Sequence, residues 1–190
     1  MFSSALVMNQ ARPSLDDLGL ARRCAAGDED AFADIYHRFA ARLKSIAFNH
    51  LGNISDAEDA VQETFLKIHR AANGFTGEAA FSTWLYRILI NTCYDMMRRR
   101  RRRISEAPID DAVAATRASA NVDDAKRLTL MKLVNELPEQ RRSVFVLFEV
   151  EGLSHADIGS ILGITEGNSK WILFSTKKQL QEQWKRQTQS

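Results

Sequence analysis

Residues 154–180 read SHADIGSILGITEGNSKWILFSTKKQL, and this stretch decides the fold. It has the layout of a helix-turn-helix: a capped short helix, a glycine turn, then a longer helix. Ser154 suits an N-cap for a helix over 154–162, Gly163 and Ile164 make the turn, and the final helix runs from Glu166 to Trp184. Ala156, Ile158, Ile161, Leu162 and Ile164 are expected to meet Leu173 and Leu180 in the inter-helix core. That leaves Asn168, Lys170, Trp171, Ser175, Lys177 and Lys178 pointing outward. A polar, cationic start to the second helix suits groove insertion; a hairpin that merely packs is the plainer alternative.

Upstream of this motif the helical pattern continues. Glu139 to Glu149 carries apolar Val144, Phe145, Leu147 and Phe148, and Gly152 breaks it. Leu137-Pro138 ends a preceding helix that begins near Val122. Between 104 and 121 the character changes: Pro108, small residues, several acids and no periodicity predict a flexible linker. The expected organisation is therefore an N-terminal extension at 1–13, a helical bundle at 14–103, the linker at 104–121, and a helix-turn-helix domain at 122–187. Strand signals are nearly absent, so the fold class is all-α.

The first cluster holds the second informative stretch. Phe32, Ile35, Tyr36, Phe39, Leu43 and Ile46 recur at spacings of three and four, giving one apolar stripe. After the Gly52-Asn53 turn, with Ser55 or Asp56 as cap, a helix presents Ala57, Val61, Phe65 and Ile68 on one face. Its other side carries Asp56, Asp59 and Glu63 at helical spacing, with Glu58 beside them. Acids in a first turn serve the helix dipole, but Glu63 lies beyond the reach of that effect. An acidic face meeting a basic partner is the sharper reading, and nothing nearby supplies the nucleophile, base or metal ligand that catalysis needs.

Next come Phe75, Phe81, Trp84 and Tyr86, close to Lys67, Arg70, Arg87 and six consecutive arginines, Arg98 to Arg103. Interleaved aromatics and cations are what single-strand binding requires, since a base stacked on an aromatic is worth ~1–3 kcal/mol. Phe81 and Trp84 also suit a core; Phe75, in a glycine-flanked loop, is expected to be less committed to one. The arginine run complements a helix C-terminus or holds phosphates, and its self-repulsion favours anions nearby.

Composition bounds the rest. Hydrophobic residues make up 45% and charged ones 26%, and the net charge is only +2, so the separation of acidic from basic blocks is what matters. Two cysteines, Cys24 and Cys93, stand far apart without any CxxC or Cys/His cluster, against a disulfide framework or a zinc site. His37, His50, His69 and His155 are scattered, so no metal is expected, and no cofactor either. Residues 1–12 lack a cationic n-region and no apolar run approaches the ~20 residues of a spanning helix, so a cytoplasmic protein without membrane insertion is expected.

The strings AAGDEDAFADIYHRF, DAEDAVQETFLKIHR, the FTGEAAFSTWLYRI segment and LPEQRRSVFVLFEVEGLSHADIGSILGIT together resemble the extracytoplasmic-function (ECF, group IV) RNA polymerase sigma factors of the sigma-70 family. The resemblance spans about Leu15 to Leu180, broken at the linker. It implies a sigma-2 and a sigma-4 domain, a non-catalytic role in promoter-specific initiation, and core RNA polymerase, promoter DNA and an anti-sigma factor as partners. Asp56, Asp59, Gln62, Glu63 and Leu66 would grip the β′ coiled coil of core polymerase. Lys67, Arg70, Phe75, Tyr86, Arg87, Asn91, Arg98 and Arg99 would handle the −10 element, its loop receiving a flipped base. Ser154, Asn168, Ser169, Lys170, Trp171, Phe174, Ser175, Lys177 and Lys178 would read the −35 element, while the flank of sigma-4 meets the β flap.

One departure stands out. The family's recognition helices usually carry several arginines, whereas this one reads SKWILFSTKKQL, so bidentate readout of guanine by arginine is not available there. An unusual −35 preference, weak sigma-4 binding, or an anti-sigma surface including Trp171 and Ile172 all follow naturally. Two rival functions stay open on the residues alone: a stand-alone helix-turn-helix regulator, and a polymerase-binding adaptor without DNA readout.

Overall fold

Gly52 shows how the two helical clusters meet. It caps a helix C-terminus in the left-handed region (φ 71°), and a Cβ there would lie 2.9 Å from the Asn135 side chain, more than eighty residues away in sequence. The computed structural model, which describes residues 15–106 and 122–188, packs the halves against each other in this way. Residues 1–14 and 107–121 lie outside the described residues; the expected linker start at 104 is corrected, since 104–106 continue the preceding helix to Glu106.

The elements are α1 (Leu15–Ala25), α2 (Glu29–Leu51), α3 (Ile54–Ala71), a short 3-10 turn (Ala72–Gly74) and α4 (Phe81–Glu106). The second half contributes α5 (Val122–Asn135), α6 (Glu139–Phe145), a π-helical turn (Val146–Val150), α7 (His155–Leu162) and α8 (Glu166–Thr188). Among the described residues there is no strand, in keeping with the all-α expectation.

Local chemistry sets most boundaries. Asp28 caps α2 by accepting from Ala31 N–H, and Ser154 caps α7 by accepting from Asp157 N–H, each contact worth about 1 kcal/mol. The α3 cap is Asn53, whose side chain accepts from Ser55 and Asp56 N–H, rather than Ser55 or Asp56 themselves. Similarly α4 begins at Phe81, and α8 runs four residues past Trp184.

The apolar stripe of α2 (Ala31, Ile35, Leu43, Ile46, Ala47) packs on the buried face of α3 and on Leu85, Leu89, Ile90 and Cys93 of α4. This core does not stop at the first half. Val144, Leu147, Ile158, Ile161, Ile172 and Leu173 belong to the same apolar cluster, and α7 lies along α4. A smaller cluster joins α5 to α8 through Leu133, Val134, Leu137, Val146 and Leu180. Leu180 therefore packs on α5 and α6 rather than in the α7–α8 core, and Ala156 is exposed, two corrections to the pattern reading.

Candidate functional site

Three surfaces and one joint hold the residues of interest. On α3, Ala57, Ala60, Val61, Thr64, Phe65 and Ile68 point into the core, which turns Asp59, Gln62 and Leu66 out to solvent, with Asp56 and Glu63 half-buried. Glu63, Asp56 and Glu58 are already paired. Glu63 lies 2.9 Å from Lys67 and 3.7 Å from Arg99, Asp56 lies 3.6 Å from Arg100, and Glu58 lies 2.6 Å from Lys44. The arginine run, being helical, radiates its charges around α4: Arg98 pairs with Asp95 and Arg101 with Glu139 of the second half. Between the α3 carboxylates and the α4 guanidiniums runs an open groove of about 540 Å³, with Met96 and Met97 also in its lining. The expected acidic face and the expected phosphate-binding run thus form opposite walls of one groove.

The aromatic region differs from its sequence reading. Phe75 is only 8% exposed and packs edge-on against Phe81 at 5.0 Å and at a tilt against Trp84 at 5.6 Å. It is a core residue, because the 3-10 turn drops the chain onto the first turn of α4. Tyr86 is likewise buried, beneath the Arg42 guanidinium, and burial pushes its hydroxyl pKa up. Lys67 donates to Thr92 Oγ1 at 3.0 Å; Arg70 and Asn91 are exposed; Arg87 is exposed but donates to the Ser160 carbonyl of α7.

In the second half, Gly163 caps α7 in the left-handed region (φ 68°), and Gly159 lets the turn close, since a Cβ there would lie 2.7 Å from the Ile164 carbonyl oxygen. Trp171 and Phe174 stand 61% and 71% exposed on α8, with Asn168, Lys170, Lys177 and Lys178 also exposed. Ser175 is half-buried and donates to the Ile172 carbonyl. Ser169 is fully buried, its hydroxyl 2.9 Å from His155 Nδ1, and Ile172 is 4% exposed. Ser169 and Ile172 therefore serve the fold and present nothing to a partner. Lys170 is held by Glu166 at 2.6 Å and Lys177 by Glu149 at 2.5 Å.

The joint was not visible in the sequence. Buried His50 Nδ1 donates to the Ile46 carbonyl at 2.8 Å, so Nε2 accepts from Ser143 Oγ at 3.0 Å, and Tyr94 O–H then donates to Ser143 at 2.7 Å. Desolvation lowers the His50 pKa to about 4, keeping the ring neutral. Arg142 donates to the His50 carbonyl at 2.6 Å and to the carbonyls of Asn135 and Leu137, tying the end of α2 to the α5–α6 turn. Arg42 donates to the Glu151 carboxylate at 3.0 Å and to its carbonyl, and burial raises the Glu151 pKa against that pairing. No local signal pairs residues about a hundred positions apart. Both cysteines are buried too, and burial pushes Cys93 up to about 12, which disfavours a reactive thiolate.

Comparison with known proteins matches the same two segments. The family model of sigma-70 region 2 matches residues 35–103, and that of sigma-70 region 4 matches residues 127–180. The ECF RNA polymerase sigma factor SigM of Mycobacterium tuberculosis is 33% identical over 159 residues, covering 84% of this chain and 80% of that protein. The ECF RNA polymerase sigma factor SigW of Bacillus subtilis is 31% identical over 172 residues, covering 83% and 90%. Among solved structures, the sigma factor RpoE bound to the anti-sigma factor NepR, from Bartonella quintana, superposes with TM-score 0.65 at 26% identity, over 81% of this chain and 96% of that one. CnrH in complex with the cytosolic domain of CnrY superposes with TM-score 0.69 at 21% identity, over 90% and 97%, a likeness of fold. With region 2 on α2–α4 and region 4 on α5–α8, the chain belongs to the ECF RNA polymerase sigma factors and directs transcription from promoters.

Proposed function

We propose that the promoter-directing work is divided among three surfaces. The exposed stripe of α3 (Asp59, Gln62 and Leu66, flanked by Asp56 and Glu63) docks on the basic β′ coiled coil of core polymerase. Lys67, Arg70, Arg87, Asn91, Arg98 and Arg99, with the loop at 75–80, handle the melted −10 strand; Phe75 and Tyr86 act from beneath as supports for that loop and for α4. The exposed face of α8 reads the −35 element, with Asn168, Lys170, Trp171, Phe174, Lys177 and Lys178 as contacts and Ser154 and Ser169 as its structural backing. The protein works by binding, in the cytoplasm, with no reaction of its own. The domain limits 14–103 and 122–187 follow this division.

The observation that carries the proposal is the presence of two unlike exposed faces in one fold. One is acidic around Leu66; the other is cationic and aromatic on the second helix of a helix-turn-helix. A stand-alone regulator has no use for the first, and an adaptor has no use for the second.

Reading both elements also requires the joint to open. Promoter elements centred about 25 base pairs apart lie ~85 Å apart at 3.4 Å per pair. A folded chain of 190 residues has a radius of gyration of only about 16 Å. An anti-sigma partner, such as the NepR that accompanies the RpoE relative, would then act by holding the closed arrangement. Transcription by purified core polymerase on a fragmented genome, with and without the protein, tests the whole scheme. New transcript starts sharing two upstream sequence blocks are expected. Polymerase binding without specific starts would leave the adaptor reading in its place.

A further inference from the structure

The α8 face poses a chemical problem. Residues 166–180 contain no arginine, and two of their lysines are held on the rim of the helix, Lys170 by Glu166 and Lys177 by Glu149. Beside them two large apolar groups stand exposed: Trp171 and Phe174, 61% and 71% exposed on the same face three residues apart. Two large aromatics left in water on the second helix of a helix-turn-helix need a partner with apolar spots set among negative charge. The major groove of duplex DNA offers this. Its walls are phosphate, matching Lys170, Lys177 and Lys178, and its one apolar group is the thymine 5-methyl.

We infer that α8 recognises its element chiefly through thymine methyls packed against Trp171 and Phe174, with Trp171 the main determinant of specificity. The spacing agrees. Residues three apart on a helix are displaced by about 4.5 Å along its axis, and successive base pairs by about 3.4 Å, so the two rings cover neighbouring pairs. The lysines hold phosphates and set register without naming a base, Lys170 and Lys177 exchanging their pairs with Glu166 and Glu149 for the DNA backbone. The recognised element should therefore centre on adjacent or next-but-one thymines, on either strand, in place of a guanine pair.

This rests on the assignment of α8 to the −35 element, and the experiment separates the two. The −35 region of a promoter is randomised and selected with holoenzyme built from core polymerase and the full chain. The selected duplex is then remade with deoxyuridine for thymidine at each selected position, which removes the methyl and keeps the base pairing. We expect about fourfold weaker binding for each methyl lost, the equivalent of one buried carbon group at ~0.8 kcal/mol. Trp171→Ala should lose the discrimination between thymidine and deoxyuridine at the pair under Trp171 and keep it at the pair under Phe174. Because Trp171 is exposed, the variant should keep its thermal midpoint. A selected element that binds equally well with deoxyuridine overturns the methyl readout and leaves the −35 assignment standing. Promoter opening with no selected −35 sequence at all overturns both. Trp171→Ala that instead weakens assembly with core polymerase overturns the inference by placing the pair on a protein interface.

Discussion

Two phenylalanines mark the contrast between the working surfaces of the two halves. Phe75, beside the loop proposed to meet the −10 element, is buried against Phe81 and Trp84, while Phe174, on the helix proposed to read the −35 element, stands 71% exposed. The charges follow the same division. Around α3 and α4, Glu63 and Asp56 pair with Arg99 and Arg100 across a groove, so a ligand for those groups must displace existing ion pairs. On α8 the aromatic pair has nothing to displace but water, and binding there is driven by burial. The first surface is preorganised and self-neutralised; the second is exposed apolar area awaiting a cover.

The sharpest way to break this contrast is to truncate both rings. Phe75→Ala removes a buried side chain from the α4 core and should cost about 3–5 kcal/mol in urea denaturation. Phe174→Ala should stay within about 0.5 kcal/mol of the parent, as surface substitutions do. Similar losses for both would mean that the α8 face is packed in solution. Because Phe75 serves the fold, a milder Phe75→Leu is the variant for asking whether the loop also damages promoter opening more than polymerase binding.

The joint between the halves gives the next largest effect. The His50 pKa is about 4 in the fold and 6.5 ordinarily, so the unfolded chain takes up a proton that the folded one refuses. The stability from the neutral ring is complete above pH ~6.5 and is lost as pH falls toward 4, in total roughly 3 kcal/mol. Glu151 runs the other way: burial raises its carboxyl, so its contribution is present at low pH and fades as pH rises through its folded value. His50→Gln leaves the Glu151 background in place and should flatten the loss between pH 6.5 and 4 measured against the parent. Parallel melting curves for the two proteins would remove His50 from the joint.

How much of this was legible in the sequence follows from the range of the interactions. Ser154 capping α7, the Gly163 turn and the α3 stripe were readable because each depends on residues within one or two helical turns. The burial of Phe75 was not, since a glycine-flanked aromatic gives no sign that the 3-10 turn lays it on α4. Ser169 sat at an outward position by motif, yet His155 draws its hydroxyl inward. The acidic face and the arginine run were each found, but read as separate ligand sites; only the fold brings Arg99 to Glu63 and Arg100 to Asp56. The joint lay furthest out of reach, because His50 and Ser143 are 93 residues apart and carry no motif.

The acidic wall should matter more than its internal partners. Reversing charge at Asp59 and Glu63 together should weaken core-polymerase binding at least tenfold, read by titration of labelled protein, because a basic partner would then face like charge. Unchanged affinity would sink the docking assignment and leave the α3–α4 groove as a structural feature only.

The smallest effect is the most discriminating. Arg99 and Arg100 are exposed, and their contacts with Glu63 and Asp56, at 3.7 and 3.6 Å, are worth under ~1 kcal/mol each. Arg99→Gln with Arg100→Gln should free the acids and tighten polymerase binding about two- to threefold, near 0.5 kcal/mol. The same variant should lose about two phosphate contacts from the salt dependence of DNA binding, if both guanidiniums reach the backbone. A gain in one titration and a loss in the other would show that the two walls compete with each other's ligands. DNA phosphates that draw the arginines away would then expose the acids to polymerase. Weaker polymerase binding would instead place the guanidiniums inside the polymerase interface, and the groove would be one bipolar contact surface rather than two opposed ones.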